Sequence, residues 1–352
     1  MNLSRYNKII SMKEQFDLIT IGGATEDLFL TIDNYQIIDN PRDILAQKLL
    51  AIEYGAKTLA KKSFLGYGGG ASNVAVAVAR HGLKSTIITA IGDDQRGNNI
   101  LKNLKSHGVG SHYVQVIAEQ QSAVSVVLIG QDGEHSVICY RGANDLMTID
   151  PNTIAEINSP WLYISSLSGQ NWHKNLVNIF SSNKLIAWNP GQTQLMAGIA
   201  KLKKFLSKTA ILIINHDEAL QLVSTDTSLK PQQIKTYNQN IELLIKKIAS
   251  YGSHLVIITK DKEGAWSYDG GELMHQPAYL TKNVVDTTGV GDAFSGTFIA
   301  NFIITNNVRQ SLRAAAQQSA IILKAGGAQS WPPVKNIKYA RITRGRNNCK
   351  RS

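Results

Sequence analysis

Cysteine is almost absent from this chain, with only Cys139 and Cys349 in 352 residues, far apart. No Cys/His cluster occurs at metal-binding spacing. Neither a disulfide framework nor a zinc site is suggested, and a reducing cytoplasm is the default expectation. No apolar run approaches the roughly 20 residues of a membrane span, so no membrane partner is expected. The opening stretch MNLSRYNKIISMKEQF has neither a sustained apolar core nor a small-residue cleavage site, which speaks against a secretory leader. The dipeptide Gly-Lys does not occur, which excludes the G-x-x-x-x-G-K-[ST] phosphate loop. If the chain handles a nucleoside triphosphate, it does so without a Walker lysine.

What is present is ordinary for a globular protein: 43% hydrophobic and 18% charged residues, enough for one large α/β domain or two smaller ones. The net charge of +11 invites a nucleic-acid reading. However, seven Lys and Arg fall in the last eighteen positions with no acid among them, leaving +4 for the body. A basic tail can dock on RNA or an anionic surface, and equally it can be a solvated end. The body itself carries no nucleic-acid signal.

The segment 16–23, FDLITIGG, reads as a buried strand closed by glycines, and 26–35 as a strand solvated on one face. Helical spacing is expected over 43–55 and another half-exposed strand over 57–70. Two strands at 123–130 and 135–142 flank an Asp132-Gly133 turn, a hairpin signal. From Ser72 onward strands and helices alternate: a helix to Gly82, strand 84–92, helix 95–107, strand 161–168, helix 171–181, strand 185–190, helix 192–206, strand 210–215, helix 232–251 and strand 254–260. That rhythm predicts a mostly parallel sheet covered on both faces, with ligands at the carboxyl ends of its strands. Residues 26–67 and 123–142 form a small β-rich element beside it.

Two glycine-rich stretches carry the chemistry. GYGGGASNVAVAVA (66–79) contains G-x-G-x-x-A, but the half-charged KTLAKKSFLGY before it is a poor first strand for a dinucleotide fold. The remaining reading is a helix start open to a polyhydroxylated ligand, with Asn73 in its first turn. DTTGVGDAF (286–294) precedes a second apolar helix. Its Gly289 and Gly291 let successive amides point outward, making an anion site at the positive end of the helix dipole. Asp292 then has two readings. It is a first-turn carboxylate offsetting that dipole, ionised there, or a base that takes a proton from an attacking hydroxyl while the amides hold a phosphoryl group.

These motifs resemble the ribokinase-like, PfkB-type carbohydrate kinases, a family that includes nucleoside kinases. DTTGVGDAF is similar to its C-terminal signature with Val290 in place of Ala, and GYGGGASNVAVAVARHG to its N-terminal signature. IGGATED, IGDDQRGNNILKNLKSHGV, YRGAN (140–144), NHDE (215–218), TKDKEGA and KAGGAQ (324–329) follow in family order over about 16–333. The resemblance implies a three-layer α/β fold, with a mostly parallel sheet, helices on both faces and a lid from 26–67 and 123–142. Residues 1–15 would be an extension and 334–352 a basic tail. It implies an ATP- and Mg²⁺-dependent kinase acting on a hydroxymethyl group of a sugar or sugar derivative. A nucleoside kinase is the alternative within the class, and a silent sugar or nucleotide sensor the alternative outside it.

By position, the resemblance makes Asp292 the base and Gly289, Val290, Gly291 and Asp292 the amide hole. Asp27, Gly69, Gly70 and Asn73 would hold the sugar. Asn215, Thr259, Gly264 and Gly327 would serve the nucleotide, and Glu218 Mg²⁺ through water. Asn215 and Glu218 also fit a plain helix cap. Asp286 and Thr288 would hold a monovalent cation, an assignment that Trp331 weakens. Lys260-Asp261 stand where Leu-Gly is common, Ala316 replaces a polar residue, and WLYISSLS lacks the substrate-binding Glu of ribokinases. The half-exposed strands of the lid leave a surface that a second subunit could cover, giving a homodimer through the lid.

Overall fold

The computed structural model describes residues 14–40, 48–131, 133–281, 284–285, 287–325 and 327–329. The basic tail, most of the N-terminal extension, Asp132, Asp286 and Trp331 lie outside the described residues. From β1 (Leu18–Ile21) the chain enters β2 (Thr25–Ile32), β3 (Gln36–Asp39), β4 (Lys48–Ala51) and β5 (Ala60–Gly68), then helix α1 (Gly70–Arg80). Next come β6 (Ser85–Gly92), α2 (Gln95–Ser106), β7 (Gly110–Ile117), β8 (Val124–Ile129), β9 (His135–Tyr140), α3 (Pro151–Glu156), β10 (Trp161–Ile164), α4 (Trp172–Phe180) and β11 (Leu185–Trp188). The remainder is α5 (Gln192–Ala197), α6 (Ile199–Leu206), β12 (Ile211–Asn215), α7 (His216–Ser224), α8 (Pro231–Gln239), α9 (Ile241–Ala249), β13 (Leu255–Lys260), β14 (Gly264–Tyr268), β15 (Leu273–Gln276), α10 (Val290–Thr305) and α11 (Val308–Ala325).

Nine strands form one sheet in the order β15-β14-β13-β12-β11-β10-β1-β6-β7, parallel from β13 to β7 and antiparallel at β14 and β15. Its strands are apolar on both faces because helices cover both. In β12, Ile211 and Ile213 pack toward Phe294 and Phe298 of α10, whereas Leu212 and Ile214 pack with Leu202 of α6 and Leu244 of α9. α10 is buried along Ala293–Asn301, so its N-terminus is fixed against the sheet. A second sheet, β5-β2-β8-β9, leaves the first at Gly22 and Gly23, with Phe29 of β2 stacked on Phe64 of β5 at 4.5 Å.

Three expectations need correcting. The helix expected over 43–55 is strand β4 where the chain is described, because Leu49 and Leu50 pair across from Ile38 and Ile37 of β3. The helix expected over 192–206 breaks at Gly198, whose φ of +84° no helix continues. The helix expected over 232–251 divides at Asn240, whose side chain accepts from Leu243 N–H at 3.1 Å and starts α9. Strands β7, β14 and β15 gave no periodic signal of their own. β14 and β15 span five and four residues, too short for alternation to register.

Candidate active site

The parallel strands end on one edge, and the two glycine-opened helices begin there. Gly69 takes φ +87°, and a Cβ on it would lie 2.4 Å from the Gly23 carbonyl oxygen. The backbone before α1 therefore lies directly against the turn after β1. A Cβ on Gly70 would come within 3.3 Å of Asp292 Oδ1, so the start of α1 also lies against the start of α10. Gly289, at φ +73°, packs on Ala328, where a Cβ would meet Ala328 Cβ at 2.0 Å. A Cβ on Gly291 would meet nothing within 4 Å, so the first α10 turn is open at that position.

Between these elements and the second sheet lies a cavity of about 280 Å³. It brings together Asp27, Gly69, Gly70, Asn73, Thr288, Gly289 and Asp292. Asn73 donates through Nδ2 to Asp292 Oδ2 at 2.7 Å. Asp27, buried in β2, accepts from Thr25 Oγ1 at 2.8 Å. Burial pushes the Asp27 carboxyl up, the Thr25 and Ser125 hydroxyls oppose that, and Glu26 adds to it. Burial also pushes Asp292 up, against the Asn73 hydrogen bond and with the Asp27 charge. The helix dipole alone argued for an ordinary ionised carboxylate at Asp292, and burial beside a second acid shifts it the other way.

Asn215 and Glu218 do not line this cavity. They form the capping box of α7, with Glu218 N–H donating to Asn215 Oδ1 at 2.8 Å and Asn215 N–H to Glu218 Oε2 at 2.9 Å. The plain helix-cap reading is thus met in full. Glu218 is nevertheless pushed up to about 7 by burial, with the Asp292 and Asp217 charges adding to it and the Asn215 amide opposing. Among the described residues no cationic side chain offsets that rise. Among the described residues no cluster of three or more His, Cys, Asp or Glu could ligate a metal directly.

Val290 and Gly291 belong to the first α10 turn, outside the cavity lining. Thr259, near the end of β13, and Gly264, opening β14 at φ +104°, lie apart from the cavity, as does Gly327 after α11. Asp261 adopts φ +34°, the left-handed region that a glycine in this loop would take without cost. Asp286 lies outside the described residues.

Sequence reasoning missed several neighbours. Gln329 donates to Asn73 Oδ1 and to Ser72 Oγ, each at 2.9 Å, and accepts from Asn103 Nδ2 at 2.6 Å. Asn144, in the YRGAN stretch, is buried and donates to the Ala24 carbonyl at 3.2 Å. Ser125, Arg141, Ser166 and Ser168 also line the cavity. Asn144 stood inside a recognised motif, whereas Ser125 is one residue of an alternating strand and carried no signal.

The solved structure of a Burkholderia thailandensis nucleoside kinase in complex with inosine matches with TM-score 0.72 at 19% identity, over 89% of this chain and 93% of that one. Ribokinase from Cryptococcus neoformans in complex with ADP matches with TM-score 0.70 at 23% identity, over 90% and 96%. The fold is therefore ribokinase-like. In sequence, ribokinase from Dictyostelium discoideum is 26% identical over 286 residues, 77% of this chain and 87% of that protein. Ribokinase from Staphylococcus aureus is 26% identical over 320 residues, 90% and 96%. Residues 42–335 match the family described as pfkB family carbohydrate kinase. With that match across most of its length, the chain belongs to the pfkB family of carbohydrate kinases, phosphotransferases that act on an alcohol group of a sugar or nucleoside.

Proposed function

We propose that this protein transfers the γ-phosphoryl group of ATP to a hydroxymethyl group of a sugar or sugar derivative. The 2.7 Å contact between Asn73 and Asp292 carries the reading, because it joins the two glycine-opened helix starts around one carboxylate. Asp27, Gly69, Gly70 and Asn73 hold the sugar hydroxyls. Asp292 accepts the proton of the attacking hydroxyl as its oxygen bonds to the γ-phosphorus and the bond to the β,γ-bridging oxygen breaks. The amides of Gly289, Val290, Gly291 and Asp292 hold the developing negative charge. Mg²⁺, when bound with ATP, would neutralise phosphate charge, and Glu218 would hold its waters.

Asn215, Thr259, Gly264 and Gly327 serve the nucleotide. Thr288, with Asp286, would hold a monovalent cation. The second sheet acts as a lid that excludes water from the transfer. It also leaves Leu65 and Ile138 largely exposed, an apolar face that a second copy of the chain would cover. A cytoplasmic setting suits both the cysteine usage and the substrates.

Nucleoside phosphorylation is the second reading, favoured by the apolar wall of Val127, Val137 and Tyr140 in the cavity. ATP consumption over a panel of pentoses, hexoses and nucleosides tests both, with Asp292→Asn as the control. No turnover on any member, or a variant as active as the parent, would sink the mechanism.

A further inference from the structure

We propose that the substrate of this cavity carries an oxyanion, a carboxylate or a phosphate ester, bound by Arg141. The inference rests on the phosphoryl-transfer reading above and narrows its substrate class. Three charged residues line the cavity: Asp27, Asp292 and Arg141. Both carboxylates already accept from neutral donors, Thr25 at 2.8 Å and Asn73 at 2.7 Å. The Arg141 guanidinium makes no hydrogen bond or ion pair with any other described residue.

Asp27 and Asp292 share the lining with it, yet among the described residues neither pairs with it. Ser166 and Ser168, both neutral, line the wall after β10. Among the described residues, Arg141 is thus the one charged side chain of the lining with no partner. Arg141 is also well anchored through its backbone. Its carbonyl accepts from Asn144 N–H at 3.0 Å, and Ala143 N–H donates to the Gln121 carbonyl at 2.9 Å. The Asn144 side chain in turn is tied to Ala24 and, at 3.3 Å, to Thr89. The guanidinium is half-buried and sits on a fixed backbone. It offers parallel N–H donors matched to a carboxylate or phosphate, and neutral hydroxyls make no use of that charge.

Calorimetric titration of the full chain, without nucleotide, with fructose, fructose 6-phosphate, gluconate and inorganic phosphate tests this. At least one anionic sugar should bind roughly ten- to a hundredfold more tightly than fructose. Arg141→Gln should erase that advantage, bringing the anionic sugars down to the affinity of fructose. A preference for fructose 6-phosphate identifies a sugar phosphate, and one for gluconate a sugar acid. Three outcomes overturn the proposal: no anionic sugar bound more tightly than fructose, Arg141→Gln weakening all four ligands alike, or inorganic phosphate alone matching fructose 6-phosphate. The last would assign Arg141 to the transferred phosphoryl group instead. Binding and turnover separate the two readings. An Arg141-dependent preference in a chain that phosphorylates nothing would refute phosphoryl transfer and leave the oxyanion site standing.

Discussion

Asn73 and Asp292 lie 219 residues apart in sequence and 2.7 Å apart in the fold, the amide nitrogen of one donating to the carboxylate of the other. Each stands in the first turn of a helix opened by glycines. The contact therefore reports how closely α1 and α10 approach at the sheet edge, and it opposes the burial that would otherwise neutralise the carboxylate.

That opposition has a pH signature. Asp292 accepts a proton only when ionised, and burial raises its carboxyl, so kcat should fall on the acid side, as pH drops through that raised value. Asn73→Ala removes the opposing hydrogen bond, so the acid limb should move to higher pH. A hydrogen bond to a charged group contributes about 1.5–3 kcal/mol, so kcat near neutrality should drop roughly ten- to a hundredfold. A kcat–pH profile of both proteins checks it. An unmoved limb would mean that Asp292 is not the group titrating.

The two glycines before and within the first α10 turn should respond oppositely in stability. Gly289→Ala forces a side chain to φ +73° and sets its Cβ 2.6 Å from Ala328 Cα, so both melting temperature and activity should fall. Gly291→Ala meets nothing within 4 Å and gains helix propensity worth up to about 1 kcal/mol. Its melting temperature should hold or rise. Activity should still fall roughly tenfold or more if the proposed amide hole holds the phosphoryl group, because the added methyl would crowd it. Thermal melts paired with initial rates separate the two.

Acid sensitivity of the fold should come in part from His81. It is 7% exposed, and burial pushes its imidazole down to about 4. The folded value lies below the unfolded one near 6.5, so the stability this group confers is present above about pH 6.5 and is lost as pH falls toward 4. The loss by pH 4.5 is about 2–3 kcal/mol. Urea unfolding of the parent and of His81→Gln at pH 7 and pH 4.5 isolates it from the carboxylates both proteins share. The stability gap between the two proteins should shift by that amount in favour of the variant at the lower pH. A constant gap would show that His81 is not the group.

Much of this was legible in residue order, for physical reasons. The strand–helix rhythm from Ser72 follows from apolar strands that need helices on both faces, and Gly289 and Asp292 stood out because two glycines and an acid at a helix start serve an anion. Pairing across space left no such trace. Leu49 and Leu50 look helical until Ile38 and Ile37 are set opposite them. Arg141 reads as any basic residue after a hairpin until the fold sets it in the lining of the cavity. The amide orientation of Asn73 depends on Gln329, 256 residues away, which local pattern cannot register.

Gln329 yields the last expectation. A primary amide has a donor end and an acceptor end, and either could face Asp292 if nothing fixed the choice. Gln329 Nε2 donates to Asn73 Oδ1 at 2.9 Å, which leaves Asn73 Nδ2 turned toward the carboxylate. Asn103 holds Gln329 in turn, through its Oε1 at 2.6 Å. Gln329→Ala should free the Asn73 amide to rotate, lowering kcat several-fold and moving the acid limb in the same direction as Asn73→Ala, though less far. Gln329→Glu presents only acceptors while ionised and repels Asn73 Oδ1, so it should be the more damaging of the two although it is the closer in shape. Kinetics of both variants against pH decide it. If the alanine variant is slower than the glutamate variant, volume rather than amide orientation is what Gln329 supplies.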